Sequence, residues 1–196
     1  MQSHIQKPTK QVYSPNKLLQ QIWQKADHAF EFLDLGAGQG RDSLFMARNG
    51  WHVVAVEKST EAIEAIKRSS GFGKLPIEIH RAKVEDFTIE KNRYSIIQLF
   101  NVLQFVKRKK ALEILAIVKR NVQLGGYIIV SGFTIHESSY AKHQDLCYFG
   151  EGELREIFYD FKIFFYRETM INDPGHSGKE YPHKHHVVRM VAQKAP

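Results

Sequence analysis

The sequence predicts an α/β fold: a seven-stranded, mostly parallel sheet with helices on both faces and an antiparallel hairpin at its C-terminal end. Three observations carry that expectation. Short apolar runs alternate with amphipathic segments from Glu31 to Phe133, the pattern of a parallel sheet built by right-handed crossovers. A glycine-rich turn, "GAGQG", separates the first apolar run from the helix after it. The last two strand-like runs are joined by a turn-rich stretch, "MINDPGHSGKEYP", with no helical pattern, so they most simply pair antiparallel.

The elements follow in order. The first dozen residues lack a periodic pattern and are expected to be a flexible N-terminus (1–12) ahead of one domain (13–196). "YSPNKLLQQIWQKA" reads as a helix with Ser14 as N-cap and Pro15 in its first turn. Its apolar stripe is Leu18, Leu19, Ile22, Trp23 and Ala26. "EFLDL" is a short apolar strand, and "GRDSLFMARNG" a helix closed by Gly50. "HVVAVE" is a valine-rich strand. "STEAIEAIKRSSG" is a helix that Ser59 or Thr60 caps and Gly71 ends. "IEIHRA" and "YSIIQLF" are the third and fourth strands, the latter apolar enough to be buried on both faces. "KKALEILAIVKRNV" is a helix, "YIIVSGF" the fifth strand, "EGELREIFYD" a helix, and "FKIFFYRE" and "HHVVRMVAQK" the final pair.

Composition narrows the class. The chain has 196 residues, enough for one α/β domain with a substantial core. Its one cysteine, Cys147, allows no intrachain disulfide, which fits a reducing cytosol and a cytoplasmic location. The start, "MQSHIQKPTKQ", has no apolar core of a secretory signal. No apolar run approaches the roughly 20 residues of a membrane span. The net charge of +7 favours anionic partners. The densest basic run, "KRKK" at Lys107–Lys110, lacks the interleaved aromatics of nucleic-acid surfaces and reads as a solvated helix face.

The glycine turn decides the nucleotide. A turn of this kind brings backbone close to a ligand at the carboxyl ends of the strands. The dinucleotide fingerprint wants G-x-G-x-x-G. Here Gly36, Gly38 and Gly40 are spaced G-x-G-x-G, and Arg41 stands where the third glycine belongs. Asp34 precedes the turn and would repel a pyrophosphate, whereas a cationic or zwitterionic ligand tolerates it.

"DLGAGQG", Asp34 to Gly40, resembles motif I of the class I S-adenosylmethionine-dependent methyltransferases, which have a Rossmann-like fold. Glu57 ends "VVAVE", where that family places an acid that bonds the ribose hydroxyls. "VEDF", Val84 to Phe87, is similar to the loop after strand three, in which Asp86 would meet the adenine amino group. "YSIIQLFNVLQFV" is similar to the fourth-strand motif, whose backbone near Asn101 runs beside the methionine moiety. "LGGYIIVS" resembles the turn into strand five. The resemblance implies S-adenosyl-L-methionine as cofactor, held by Asp34, Gly36, Ala37, Gly38, Arg41, Glu57, Lys58, Glu85, Asp86, Phe87 and Asn101, with the amides of Gly36 and Gly38 in contact with it.

"GRDSLFMARNGWHVVAVEKS", "EGELREIFYDFKIFFYRE" and "GHSGKEYPHKHHVVRMVAQK" resemble the tellurite-resistance methyltransferase group. Asp42 departs from its usual Asn, and Ala37 from a frequent Cys. "FNVLQF" lacks the N/D-P-P-Y/F signature of amide-nitrogen methylation, and one cysteine excludes a two-cysteine route. Both absences favour a small, soft, self-activated acceptor: an oxyanion of tellurium or selenium, or a thiolate. His176, His183 and His185 are the candidate catalytic residues, expected to line the acceptor pocket; plain polar strand-start residues and metal ligands are the competing readings. No metal site is expected, because no neighbouring carboxylate or cysteine pattern completes one. Arg155 and Arg167 could add positive charge to the same mouth, but plain helix- and strand-surface exposure is the preferred reading for both. Cys147, with Tyr148 and Phe149, follows strand five, and a buried free thiol is its simplest reading.

Three other classes compete: an NAD-dependent oxidoreductase, a nucleic-acid-directed methyltransferase, and a non-catalytic binding protein on the same fold. The expected partner is a small methyl acceptor, with no membrane and no nucleic acid; oligomeric assembly is left open.

Overall fold

A computed structural model describes residues 14–71, 73–174 and 181–195. One sheet of seven strands runs in the order β3-β2-β1-β4-β5-β7-β6. Strands β1 (Glu31–Leu35), β2 (Val53–Glu57), β3 (Ile77–Arg81), β4 (Tyr94–Phe100) and β5 (Tyr127–Phe133) are parallel. Strand β7 (His183–Gln193) is antiparallel to both β5 and β6 (Lys162–Asp173). The expected fold class is therefore realised, including the final hairpin.

Two cores lie on opposite faces of the sheet, because successive strand residues point to opposite sides. Leu33, Leu35, Val54, Val56, Ile97, Leu99, Ile128 and Val130 form one, with Ala111, Ile114, Leu115 and Val118 of helix α4 (Arg108–Asn121). Phe32, Val53, Ile96, Tyr127 and Ile129 form the other. They pack on Leu18, Leu19 and Ile22 of α1 (Lys17–Ile22) and on Met46 and Ala47 of α2 (Arg41–Arg48). Strand β4 is buried on both faces up to its last residue, as its apolar sequence requires. Helix α3 (Thr60–Ser69) is capped by Ser59, whose hydroxyl accepts from the Ala62 amide.

Three local expectations are corrected. The cap of α1 is Asn16, not Ser14: its side-chain oxygen accepts from the amides of Leu18 and Leu19, both at 3.0 Å. Tertiary bonds to Asp42 and Gln98 hold Asn16 in that position. Helix α5 (Glu153–Ile157) is shorter than its apolar pattern suggests. The hairpin is longer: β6 runs on through "TMIND", and β7 begins two residues early, at His183. Since β5 stops at Phe133, opposite Val187, the start of β7 and the end of β6 overhang the carboxyl edge of the parallel strands. That edge is where ligands bind in open α/β sheets.

The basic run behaves as a helix face. Lys107, Lys109 and Lys110 are exposed, and Arg108 is structural, donating to the Tyr148 carbonyl and pairing with Glu153. No helix among the described residues is long and apolar enough to cross a membrane. The N-terminal flexible segment (1–12) and His176 lie outside the described residues.

Candidate functional site

The glycine turn follows β1 with Gly36, Gly38 and Gly40 all at positive φ, +78°, +56° and +79°, a region that L side chains rarely adopt. Gly36 is also needed for space, since a Cβ there would lie 2.5 Å from Val102 Cγ2. The turn is bonded to β2. The amides of Gly36 and Ala37 donate to the Val56 carbonyl, at 2.9 and 3.0 Å. The Gly38 amide donates to Glu57 Oε2 at 2.9 Å, while Glu57 Oε1 accepts from the amides of Lys58 and Ser59, each at 2.8 Å. The Gly36 and Gly38 amides thus bond to β2 and Glu57. A loop whose amides are spent in this way lacks the N–H cradle of a pyrophosphate site.

Beside the turn is a cleft of about 400 Å³, within the range of small-ligand sites. Gly36, Gly38, Glu57, Lys58, Glu85 and Asn101 line it. Asp86 and Phe87 do not. Asp86 is exposed at the end of a 3-10 turn, and Phe87 packs edge-on to the His80 ring. In that loop Glu85 is the carboxylate that faces the cleft. Sequence reasoning missed the apolar wall of Val84, Val102, Phe105 and Val106. Phe105 is 67% exposed, unusual for a large aromatic inside a soluble fold, and that exposure is visible only in the tertiary structure.

Asn101 is the hinge of the site. Its φ is +56°, a strained value that Asn tolerates better than most residues. Its amide donates to the Ser131 carbonyl at 2.8 Å, and its Oδ1 accepts from Ser131 Oγ at 2.6 Å. Asn101 lines the cleft and both neighbouring cavities.

The first neighbour, about 340 Å³, has Asp34, Ala37, Arg41 and Gln98 in its wall. Asp34 is buried. Ser43 Oγ donates to its Oδ2 at 2.6 Å and Gln98 Nε2 to its Oδ1 at 3.1 Å. Burial foremost, then the neighbouring Asp42 charge, push its carboxyl up to about 7. The second neighbour is a groove of about 730 Å³ between α1 and the final hairpin. Arg41, Arg167, Arg189 and Phe100 line it. The guanidinium carbons of Arg41 and Arg189 lie 5.8 and 5.7 Å from the centroid of the Phe100 ring. Arg41 pairs with Asp42. Among the described residues Arg189 pairs with no carboxylate, and its buried Nε has no partner. Burial and then the Arg41 charge make its proton easier to lose than usual. Arg167 joins this groove, whereas Arg155 stacks on Tyr166 instead.

His183 and His185 share one face of the β7 overhang, the face that also carries Arg189. Their Nε2 atoms are 2.8 Å apart. Asp173 sits opposite His183 in the hairpin register, and one ligand atom from each of the three lies within 4.8 Å of the others. No carboxylate pattern beside these histidines in the sequence announced this neighbour. Strand pairing supplies it from ten residues away.

The family model for tellurite resistance protein TehB matches residues 24–178. The chain belongs to the TehB family. The match runs from just before β1 to just beyond β6 and so contains the glycine turn, Glu57 and Asn101. It leaves out α1 and β7, hence His183, His185 and Arg189. Curated relatives include a probable S-adenosyl-L-methionine-dependent methyltransferase TehB of Haemophilus influenzae, 26% identical over 138 residues. That alignment covers 70% of this chain and 48% of the relative. Hemagglutinin 1 of Eikenella corrodens is 29% identical over 140 residues, covering 70% and 46%. The chain thus spans about half the length of the curated relatives it matches. The crystal structure of TehB from Haemophilus influenzae superposes with a TM-score of 0.70 at 24% identity, covering 84% of this chain and 57% of that one. The TehB-family fold is thereby the class I methyltransferase fold.

Proposed function

We propose that this TehB-family chain binds S-adenosyl-L-methionine in the cleft beside Glu57 and methylates a small, soft, anionic nucleophile held in the adjoining groove. The observation that carries this reading is that Asn101 lines both spaces, with Arg41 and Arg189 converging on Phe100 on the acceptor side.

The residues suit the cofactor. Glu57, oriented by three backbone amides, is an acceptor for ribose hydroxyls. Val84, Val102, Phe105 and Val106 offer an apolar wall for a purine. Glu57 gives the turn a carboxylate, which suits a sulfonium and an ammonium and opposes a pyrophosphate.

Bound S-adenosylmethionine supplies a methyl group activated by a positive sulfur. The chain's own part is alignment and water exclusion. Arg41 and Arg189 attract and orient an oxyanion or thiolate, and the fixed backbone at Asn101 sets the approach to the cleft. An acceptor with an available lone pair needs no general base. An oxyanion of tellurium or selenium, or a thiolate, meets that description.

Calorimetric titration with S-adenosylmethionine tests the cleft. Glu57→Ala should weaken binding by roughly 1–3 kcal/mol, while Asp86→Ala leaves it unchanged. Equal affinity in Glu57→Ala removes Glu57 from the site. S-adenosylhomocysteine release across selenite, tellurite, thiols and small amines tests the acceptor class, and turnover confined to amines refutes it. Thermal shift with S-adenosylmethionine against NAD separates methyl transfer from hydride transfer.

A further inference from the structure

The overhanging hairpin brings together two imidazoles and a carboxylate in an arrangement that can hold a cation. His183 Nδ1 is 2.9 Å from the Tyr181 carbonyl oxygen. A carbonyl only accepts, so that nitrogen carries hydrogen and Nε2 presents its lone pair. His185 Nδ1 lies 3.3 Å from Glu137 Oε2 without hydrogen-bond geometry, so this contact does not fix its tautomer. The two Nε2 atoms are 2.8 Å apart, close enough to share one proton or one cation.

The surroundings are those of a ligand set. The His185 ring is stacked on Phe133, with centroids 4.7 Å apart, and its side chain is only 12% exposed. Glu137 is fixed in turn, because its Oε2 accepts from the His186 amide at 2.7 Å. A ligating histidine whose other nitrogen meets a buried carboxylate is the usual outer-shell pattern of metal sites. Asp173 adds an oxygen donor from the neighbouring strand, opposite His183.

The geometry points to a divalent metal site of the zinc type, with His183 Nε2, His185 Nε2 and the Asp173 carboxylate as ligands. Two imidazoles and one carboxylate suit a borderline cation. Zinc with bonds of roughly 2.0–2.1 Å to nitrogen holds two such nitrogens about 3.3 Å apart in a tetrahedron, a small rotation from the observed 2.8 Å. Three protein donors leave a tetrahedral ion one further position. Asp173 also lines the arginine groove, so the ion sits at its rim. This assignment does not depend on the methyl-transfer reading.

The test uses the full chain without a histidine tag, stripped by chelator and titrated with Zn²⁺ against a competing indicator. The wild type should take up one equivalent with a Kd on the order of 1 μM or tighter. Glu137→Gln should weaken uptake roughly 10–100-fold, and His183→Ala, His185→Ala or Asp173→Asn by more than that. Circular dichroism and melting temperature confirm that each variant is folded. Co²⁺ in place of zinc should give the visible absorption of a low-coordinate site in the wild type and lose it in His185→Ala. Failure of the folded wild type to bind overturns the site and leaves a shared proton between the two rings. Stoichiometric binding that persists in both His183→Ala and His185→Ala equally overturns it, by placing the ion elsewhere.

Discussion

Asn16 and Asp42 are joined by two hydrogen bonds of 2.8 Å, from the Asn16 amide to Oδ1 and from its Nδ2 to Oδ2. The pair ties the start of α1 to the first turn of α2. Asp42 also accepts from Gln98 Nε2 at 2.9 Å and Arg41 Nε at 3.1 Å. Every partner is a donor, so a carboxylate fits at this position. Asp42→Asn turns one acceptor into a donor facing donors. A loss of roughly 1–3 kcal/mol is expected, seen as a melting point several degrees lower. Combination with Asn16→Ala should cost less than the two changes summed, because the residues share their bonds.

Asp34 makes stability depend on pH. Its carboxyl is raised from 3.8 to about 7 by burial and by Asp42. Between these values the folded chain keeps a proton that the unfolded chain has lost, so stability falls as pH rises. The protonated form's contribution is complete below about 4 and lost by the time pH passes 7. Melting temperature should therefore decline from pH 5 to pH 8. In Asp34→Asn that part of the decline should vanish, since the amide can still bond Ser43 and Gln98. An unaltered slope in the variant would refute the role.

Gly36 and Gly38 should respond differently to the same change. Gly38→Ala meets only the cost of positive φ, about 1–2 kcal/mol, because nothing lies within 4 Å of its Cβ direction. Gly36→Ala meets that cost and a collision with Val102 as well. Urea unfolding should rank Gly36→Ala as the less stable variant, and calorimetry should show the greater loss of S-adenosylmethionine affinity in it.

Arg189 is expected to act on the acceptor alone. Arg189→Ala removes a half-buried cation from the groove and leaves the Glu57 cleft intact. For an anionic acceptor kcat/KM should fall roughly 10–100-fold, the worth of a charged hydrogen bond. The KM for S-adenosylmethionine should hold steady. Equal losses for neutral and anionic acceptors would argue against charge recognition.

Cys147 is fully buried, and burial pushes its thiol up to about 12. It behaves as a small core residue, as its sequence context suggested. Maleimide should leave the native chain unlabelled at pH 8 and modify one thiol per chain once urea unfolds it.

The sequence by itself determined the strand and helix order, the double burial of β4, the glycine turn and Glu57, because each is written in local periodicity or short spacing. Helix α1 was legible as a helix, but its cap was not. Asn16 holds that place through Asp42 and Gln98, 26 and 82 residues away. The same limit applies to Arg41 and Arg189, which meet over Phe100 only because the sheet sets β4 and β7 on either side of β5. Asp173 reaches His183 only because β6 and β7 pair beyond the end of β5. Hydrophobic pattern decides which face of a strand is buried, whereas the register between distant strands decides which polar groups touch. That register is a product of packing the whole sheet.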